Sequence, residues 1–542
     1  MLDLINFQNG LKLLSNRNFV EARKIFYEIW IRDESSASTA ARYVAYIDEL
    51  NGHLNEAVTL LESSMAHYGE DPATLAQISE LSMKMGLHKK AIDRAKRSLE
   101  LSPNNAITAL NKTIWQSNYS SNGPAIRTAF ELWASRYIKP AQCTAPMKNF
   151  HDFKRSKSET LKVGFLSGDL KNHAVRYFIE PYLKLHDRSR IELHIFMTAE
   201  EDEISQILKQ WVPNWHNVRD LNSNSLLSYI RTLEIKILVD LSGHTENSKL
   251  DVFAARAAPV QVTWWGFVHT LGIKEIDYRL TDYEACPPGA EDHYTEALCR
   301  MACLTAYVPP VGCEEEYSSP WVQNQFVTMV SLNHTRKISD AALNTWREIL
   351  EKNQNAGLII VTGEVSELQK DNYFVQRLTE SNLPMDRVAA VPRLTMLEYM
   401  RVASVADFAV DTFPISGGVT TFHSLWMGLP ILTMCPGNKI AIQTYAANVL
   451  SSIGLSEGIT NNINQYVDLA TYWIQNPSVI SQLRSTIRQK MITSPFLDHD
   501  ERVKELEYCF EEMWRRFLLN ESIRSFDSEL ATHPEYSKTT ED

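Results

Sequence analysis

A small residue recurs at an almost constant interval through the first hundred residues. Ala22, Ala57 and Ala91 lie 35 and 34 residues apart, in the matching frames RNFVEA, GHLNEA and GLHKKA. Gly52 and Gly86 stand five residues before their alanines, where a glycine can end one helix before the next begins. A small side chain at the repeated position lets two antiparallel helices approach closely. The pattern predicts stacked helical pairs over residues 1–120, with a non-repeating helical bundle as the alternative.

This interval and these residue types resemble those of tetratricopeptide repeats. Such repeats stack into a superhelix whose concave surface usually binds protein segments. About three repeats are close to the minimum for stability, so we expect the segment to depend on the chain that follows it. Residues 121–158 begin with the amphipathic stretch AIRTAFELWASRY and become polar with two prolines, which predicts a helical linker.

From Leu161 onwards, short apolar runs alternate with stretches of helix length. Parallel strands that are buried on both faces give this pattern. A first series comprises residues 161–166, 191–197, 235–241, 260–267 and 276–282, and a second comprises residues 326–332, 356–363, 387–392, 406–413 and 429–434. Two successive series predict two Rossmann-like α/β lobes, 159–320 and 321–519, which bind ligands at the carboxyl ends of their strands. The polar tail, 520–542, is predicted to be disordered.

Composition narrows the classes of function. The 542 residues carry a formal net charge of −12, which argues against binding to nucleic acid, because that requires a basic face. The first residues lack the basic and apolar regions of a secretory signal, and no apolar run of about 18 residues predicts a membrane span. The seven cysteines are scattered without a CxxC pair, which favours reduced thiols over a metal or redox site. We therefore expect a cytoplasmic protein without a bound metal.

The segment DTFPISGGVTTFHSLWMGLP, residues 411–430, has the features of a phosphate-binding loop. Gly417 and Gly418 follow a strand, and paired glycines let backbone N–H groups approach a ligand. Thr420 and Thr421 open the next helix, whose N-terminus offers unpaired donors and a positive dipole. The alternative is that the threonines only cap the helix.

Two further segments place polar side chains at strand ends. Lys337 lies in the strand-to-helix loop of SLNHTRKISDAALNTWREIL, where its charge could meet phosphate; a solvated lysine is the alternative. Asp169 and His173 follow the strand of VGFLSGDLKNHAVRYF, and such a pair can orient and accept a proton near a reacting hydroxyl. For them, and for His244 in LVDLSGHT, a helix cap or a satisfied interior histidine is the alternative.

Five motifs, taken in order, resemble the catalytic region of the O-GlcNAc transferase/SPINDLY family. They are VGFLSGDLKNHAVRYF, ILVDLSGHT, ARAAPVQVTWWGF with IDYRLTD, LNHTRKISDAALNTW, and ADFAVDTFPISGGVTTFHSLWMGLPILT. The resemblance covers about residues 160–518 and follows the repeats that this family carries. It implies a GT-B fold and metal-independent, inverting transfer of a sugar from a nucleotide-sugar to a serine or threonine of a protein. The expected fold is therefore an N-terminal α-solenoid followed by a GT-B pair of Rossmann-like lobes.

The resemblance also implies roles for individual residues. Lys337 would neutralise the donor diphosphate, while Asp169 and His173 would line the acceptor side, where the donor's own phosphate is a rival base. The other residues implied at the nucleotide-sugar are His334, Arg393, Leu394, Tyr399, Gly417, Gly418, Thr420, Thr421 and His423. The other residues expected on the acceptor side are Asn172, His244 and Thr270.

Three positions depart from the family pattern. His423 stands where an acidic residue commonly holds the ribose hydroxyls, residues 268–270 read VHT where Pro-Gly-Thr is more usual, and Tyr137 stands where many members have a histidine. The first departure leaves the nucleotide and the sugar open. UDP-GlcNAc is the donor that the resemblance favours. The alternatives are glucose, fucose or a nonulosonic acid transferred to a flagellin or adhesin, and a non-catalytic repeat scaffold.

The partners that these features predict are a protein substrate, bound through the repeats, and the nucleotide-sugar. A homodimer is a further alternative.

Overall fold

The computed structural model describes residues 2–32, 36–146, 160–313, 315–362 and 373–529. The chain divides into two compact units. Unit 1 comprises residues 1–119, 318–416 and 462–481, and unit 2 comprises residues 120–317, 417–461 and 482–542. Each unit therefore collects segments that are distant in the sequence.

The helices of the described residues fall into an N-terminal group and a group interleaved with strands. They are α1 (Leu2–Ser15), α2 (Phe19–Ile31), α3 (Ala37–Leu50), α4 (Leu54–Tyr68), α5 (Pro72–Lys84), α6 (His88–Leu101), α7 (Ala106–Asn118), α8 (Gly123–Tyr137), α9 (Arg176–Leu185), α10 (Glu203–Lys209), α11 (Ser223–Thr232), α12 (Leu250–Ala254), α13 (Trp321–Asn324), α14 (Asp340–Lys352), α15 (Tyr373–Glu380), α16 (Met396–Met400), α17 (Val419–Trp426), α18 (Ala441–Ser452), α19 (Ile463–Gln475), α20 (Pro477–Ile492) and α21 (His499–Leu518). Short 3₁₀ turns occupy Glu291–His293, Thr335–Lys337, Arg401–Ser404 and Ser456–Gly458.

The strands of the described residues are short, as the apolar runs predicted. They are β1 (Leu161–Ser167), β2 (Ile191–Met197), β3 (Asn214–Asn217), β4 (Ile237–Asp240), β5 (Val260–Thr263), β6 (Tyr278–Asp282), β7 (Ala297–Met301), β8 (Val327–Ser331), β9 (Ala356–Val361), β10 (Val388–Val391), β11 (Phe408–Val410), β12 (Ile431–Met434), β13 (Ile459–Thr460) and β14 (Phe526–Asp527).

Unit 1 begins with the helical pairs that the repeat predicts. The repeated alanines Ala22, Ala57 and Ala91 are completely buried, because each lies where two antiparallel helices approach. The helices start at recognisable caps, such as Asp71, whose carboxylate accepts from Thr74 N ahead of α5. An N-cap of this kind satisfies a backbone donor that the helix itself cannot.

Unit 1 also contains a parallel sheet, with strand order β10-β9-β8-β11. Asp407, immediately before β11, is buried and accepts hydrogen bonds from the backbone N–H groups of Thr328 and Trp321. Because the strands are parallel, the loops after β8, β10 and β11 leave the same edge of the sheet. Residues 332–339, 392–395 and 411–416 are thereby brought to one edge.

Unit 2 is built on an eight-stranded sheet with the order β14-β7-β6-β5-β4-β1-β2-β3. Its neighbouring strands pair in parallel, and β1 lies between β2 and β4. Its core includes Phe165 of β1, Trp264 after β5 and Phe510 of α21. The remaining strands of unit 2, β12 and β13, pair in parallel with one another.

The predicted order, helical repeats followed by two series of parallel strands, is confirmed. The ten predicted runs all contain strands, although 260–267 and 406–413 are strand only at residues 260–263 and 408–410. Four strands, β3, β7, β13 and β14, were not predicted, because they are short or less apolar. The lobe and linker boundaries themselves stay predictions.

The predicted disorder of the tail is wrong for residues 520–529. Phe526 pairs with Cys299 in β7, and Ser528 N donates to the carbonyl oxygen of Arg300. Phe526 is also buried at the end of the unit 2 core, so one aromatic side chain and an available sheet edge order this polar segment. Residues 530–542 lie outside the described residues. Among the helices that the structure describes, none is both long and apolar enough to cross a membrane.

Candidate active site

Lys337 lies in the loop that leaves β8 in unit 1. Its Nζ donates to the carbonyl oxygen of Ser416 at 2.8 Å, and Ser416 directly precedes the paired glycines in the chain. Burial lowers the pKa of Lys337 to about 8, against the attraction of the Asp411 carboxylate. The ammonium group is thus held at the Ser416 carbonyl oxygen with part of its hydration removed.

Asp411, at the end of β11, is the carboxylate whose attraction opposes the lowering of the Lys337 pKa. It is buried and accepts a hydrogen bond of 2.9 Å from Asn333 Nδ2, and another from Thr412 N. Tyr466 donates its hydroxyl to the Asp411 carbonyl oxygen at 3.0 Å. A carboxylate held in this way is a fixed negative charge that favours the ammonium form of Lys337. The sequence placed Asp411 at a strand end but did not predict this network, which depends on Asn333 in the loop after β8.

His334 starts the 3₁₀ turn that carries the lysine. Its Nδ1 accepts from Arg336 N at 3.2 Å, so the ring proton of the neutral form lies on Nε2. Loss of hydration, and the charges of Arg336, Lys337 and Arg393, lower the pKa of His334 to about 4. The histidine is therefore a neutral N–H donor near pH 7, as a contact to a donor sugar or phosphate requires.

Arg393, Leu394 and Tyr399 lie after β10, at the same sheet edge of unit 1. Arg393 is exposed, whereas Leu394 and Tyr399 are half-buried. The segment is held by a capping box, in which Thr395 and Glu398 bond each other's backbone N–H groups. The structure thus brings Lys337, His334 and these three residues to one edge, which is compatible with the predicted base and phosphate contacts.

In unit 2, Gly417 and Gly418 lead into α17 as predicted. Gly418 is the N-cap, and a Cβ atom built on it would meet open space. Thr421 N is already bonded to the Gly418 carbonyl oxygen at 2.9 Å. Open space at Gly418 therefore lies beside the N-terminus of α17, where the helix dipole is positive, and this combination favours an anion such as phosphate.

His423 lies one turn further along α17 and is buried. Its Nδ1 accepts from the hydroxyl of Tyr307 at 2.7 Å, and its ring lies edge-on to Tyr177, with centroids 4.9 Å apart. Burial lowers the pKa of His423 to about 3, so the ring is neutral. Tyr307 was not singled out in the sequence, because nothing near it indicates a contact with residue 423.

Asp169 and His173 lie in the loop after β1, at the carboxyl edge of the unit 2 sheet. Burial raises the pKa of Asp169, and the nearby His173 and Lys171 oppose this rise. His173 Nδ1 accepts weakly from Val175 N at 3.4 Å. The adjacent Asn172 is exposed, with its backbone N–H bonded to Asp202 at 2.7 Å. The predicted pair is thus brought together, with a carboxyl whose affinity for a proton is increased.

His244 and Thr270 lie in the interior of unit 2. His244 Nε2 donates to the Leu271 carbonyl oxygen at 3.0 Å, and Phe130 stacks on its ring with centroids 5.4 Å apart. Burial lowers the pKa of His244 to about 4. Thr270 donates its hydroxyl to Glu296 at 2.7 Å. His244 is thus an interior histidine that is satisfied only at Nε2, because its buried Nδ1 has no hydrogen-bond partner among the described residues. An acceptor role for either residue stays a prediction.

The other two departures from the family pattern, Tyr137 and the VHT segment, also lie in unit 2. Tyr137 ends α8 and contacts Trp133, with ring centroids 5.8 Å apart. His269 of the VHT segment is buried, and burial together with the charge of Arg279 lowers its pKa to about 3.

Across the described ranges, no group of three or more His, Cys, Asp or Glu side chains is arranged to hold a metal ion. Metal independence stays a prediction.

Comparisons with known proteins show the family. The model of the family described as Glycosyl transferase family 41 matches residues 141–309 and 310–506. A Petunia hybrida protein named "Probable UDP-N-acetylglucosamine--peptide N-acetylglucosaminyltransferase SPINDLY" is 30% identical over 429 residues, which are 77% of this chain and 45% of that protein. An Arabidopsis thaliana protein of the same name is 29% identical over 414 residues, 74% of this chain and 44% of its own length. The chain thus spans about half the length of these curated relatives.

A solved structure shows the fold. A mutant of Thermobaculum terrenum O-GlcNAc transferase matches with a TM-score of 0.84 and 23% identity, covering 96% of this chain and 99% of that chain. The helical repeats and the two parallel-sheet lobes are therefore the repeat-plus-GT-B arrangement that the sequence predicted.

Proposed function

The chain belongs to glycosyl transferase family 41, and we propose on that premise that it is an inverting protein glycosyltransferase. In this proposal it transfers GlcNAc from UDP-GlcNAc to a serine or threonine of a protein. The names of the matched plant proteins, which specify UDP-N-acetylglucosamine and a peptide, support this donor and this class of acceptor.

One observation carries the proposal. The Lys337 ammonium donates to the carbonyl oxygen of Ser416 at 2.8 Å, immediately ahead of Gly417 and the start of α17. A glycine loop, a helix N-terminus and a lysine are the groups that stabilise a diphosphate. The contact within unit 1 places the lysine charge at the residue that directly precedes this loop in the sequence, which supports a donor site.

The reaction then requires one displacement. The acceptor oxygen forms a bond to the anomeric carbon from the face opposite the diphosphate, while the bond from that carbon to the phosphate oxygen breaks. Negative charge grows on the leaving diphosphate, where Lys337 would stabilise it. The acceptor's proton goes to a base, for which Asp169, His173 and the donor phosphate are the candidates. Asp169 is favoured within the protein because burial raises its pKa.

A second donor is favoured by the state of His423. A buried neutral histidine, whose Nδ1 accepts from Tyr307, cannot accept hydrogen bonds from two ribose hydroxyls as a carboxylate can. The contact to the ribose is therefore unassigned at this position, and a related transfer of glucose, fucose or a nonulosonic acid from another nucleotide-sugar is the alternative function.

The proposal extends to partners and location. We propose that the helical repeats guide the protein substrate, since stacked helical pairs commonly bind protein segments. A cytoplasmic location, metal-independent catalysis and a homodimer belong to the same proposal.

A donor panel with mass detection tests the function. The purified chain is incubated with UDP-GlcNAc, UDP-glucose, GDP-fucose or a CMP-nonulosonic acid, together with candidate acceptor proteins, and the acceptors are weighed intact. The expected result is an added N-acetylhexosamine that β-elimination releases from serine or threonine. A different added mass establishes the alternative donor. Absence of transfer and of donor hydrolysis with every member of the panel would overturn the assignment as an enzyme.

A further inference from the structure

The turn between α5 and α6 lies directly against the loop that carries Lys337, and both belong to unit 1. Gly86 in this turn has φ +74°, and a Cβ atom built on it would lie 3.0 Å from Thr335 O and 3.1 Å from Ile338 O. Contacts that short to backbone atoms are tighter than most real Cβ contacts, and the positive φ also disfavours other residues, so glycine suits this position best. The third helical repeat therefore packs on the backbone of the lysine loop itself.

Hydrogen bonds hold the loop backbone on both sides of the lysine. His88 Nε2 lies 2.7 Å from the carbonyl oxygen of Arg336, the residue before it. Arg377 Nη2 donates to the carbonyl oxygen of Ile338, the residue after it, at 2.9 Å, and Arg377 Nη1 donates to Met85 O at 3.3 Å. The turn of the repeat and the lysine loop are thus tied into one hydrogen-bonded network.

The direction of the histidine's hydrogen bonds follows from its partners. A carbonyl oxygen can only accept, so His88 Nε2 carries the proton that it donates to Arg336 O. Its Nδ1 therefore has a lone pair, which accepts from the hydroxyl of Tyr119. Burial lowers the pKa of His88, which keeps the ring neutral near pH 7. The neutral ring can then accept from the Tyr119 hydroxyl and donate to Arg336 O at the same time.

The helical repeat alone does not require a histidine at this position. In the frames aligned on the repeated alanines, His88 corresponds to Leu54 and Phe19. Leu54 is buried, as expected of an apolar residue in a helical pair. A leucine at residue 88 would therefore satisfy the repeat but would lose both hydrogen bonds.

We propose that His88 and Tyr119 are positioning residues for Lys337, through which the third helical repeat fixes the lysine against the donor diphosphate. This inference rests on the role of Lys337 in the proposed function. It assigns the repeat segment a part in the chemical step, in addition to binding the protein substrate.

The decisive variants are His88→Leu and His88→Gln. With UDP-GlcNAc as the donor, His88→Leu is expected to lower kcat about 10- to 100-fold, because a displacement of about 1 Å in a catalytic group costs about that much. His88→Gln is expected to recover most of the loss, since an amide can donate to Arg336 O and accept from Tyr119. His53→Leu makes the same substitution at an exposed residue of the preceding repeat and should change nothing.

Hydrogen–deuterium exchange of residues 331–350 gives a readout that does not need a donor. Exchange in this segment should be faster in His88→Leu and close to wild type in His88→Gln. Tyr119→Phe, which removes only a hydroxyl, should show the same change to a smaller extent and serves if His88→Leu does not fold. Unchanged exchange in Tyr119→Phe and in His88→Leu would overturn the inference.

A double variant separates this inference from the proposed function. Because His88 is argued to act through Lys337, His88→Leu should cause no further loss of kcat in a Lys337→Met background. A full additional loss in that background means that His88 acts elsewhere, which refutes the positioning role. If Lys337→Met alone keeps wild-type turnover, the proposed role of Lys337 fails instead, whatever His88→Leu does.

Discussion

Replacing Lys337 by methionine removes a charge while keeping a side chain of similar length. In the free protein, burial lowers the pKa of this lysine to about 8, so roughly nine-tenths of the molecules carry the ammonium at pH 7. The charge is therefore present for catalysis but is poorly solvated. Such a group interacts strongly with a diphosphate, because little water has to be displaced from it.

The expected loss of activity follows from the charge that develops on the leaving group. Loss of one preorganised donor at such a position costs about 3–4 kcal/mol of barrier, or about 10²- to 10³-fold in kcat. The fold should survive, because the lowered pKa means that burying the charged lysine opposes folding by roughly 3 kcal/mol. The hydrogen bond to Ser416 O, at 2.8 Å, offsets part of that cost and is lost in the variant.

Two measurements check this reasoning. The first is the rate of nucleoside diphosphate release by wild type and Lys337→Met, with circular dichroism and thermal unfolding as controls for folding. The second is kcat/KM of the wild type against pH, which should fall as pH rises through about 8 as Lys337 loses its proton. A methionine variant within threefold of wild type, or a wild-type profile that stays flat up to pH 10, would contradict the assignment.

Other predictions concern stability and the donor site. Gly272→Ala should lower the melting temperature much more than Gly312→Ala: both glycines have positive φ, but a Cβ atom would lie 2.4 Å from backbone at Gly272 and in open space at Gly312. The pKa of His269 is lowered to about 3, so the unfolded chain binds a proton there below about pH 6.5 that the folded chain does not. His269→Gln removes this proton uptake by the unfolded chain. The free energy of unfolding of the variant relative to wild type should therefore rise by about 1.6 kcal/mol in total as pH falls from 6.5 to 5 in urea titrations. Tyr307→Phe removes the hydroxyl that His423 accepts, and should cost about 1 kcal/mol of stability and raise KM for the donor; an unchanged KM would separate His423 from donor binding.

The regular parts of the fold could be predicted because their causes are local. The spacing of Ala22, Ala57 and Ala91 reflects a contact made within each helical pair, and the apolar runs reflect strands buried on both faces. Strand β3, Asn214–Asn217, is polar and half-buried. Its residues therefore lack the apolar pattern from which a strand beside β2 could have been predicted. The tail strand at Phe526 was missed for the same reason, since its order depends on a distant edge formed by β7.

The site could be predicted as a set of residues but not as a network. Glycines, threonines and a lysine at strand ends indicate phosphate binding through their own chemistry, and the structure places each of them at such an end. The residues that support them are distant in the sequence. Asn333 reaches Asp411 across 78 residues, and His88 reaches Arg336 across 248. Contacts of that range leave no local pattern, which is why the roles of His88 and Asp411 appear only in the fold.

The lowered pKa of Lys337 also links donor binding to protons. A diphosphate bound at the ammonium favours its charged form and so raises the pKa of Lys337 from about 8. Because the free protein at pH 8.5 is mostly deprotonated at this lysine, binding of UDP at that pH must take up part of a proton. Calorimetry of UDP binding at pH 8.5, where the phosphates of UDP are fully ionised, should therefore give heats that differ between two buffers with different ionisation enthalpies. In Lys337→Met the difference at pH 8.5 should vanish, and its persistence there would assign the proton to another group.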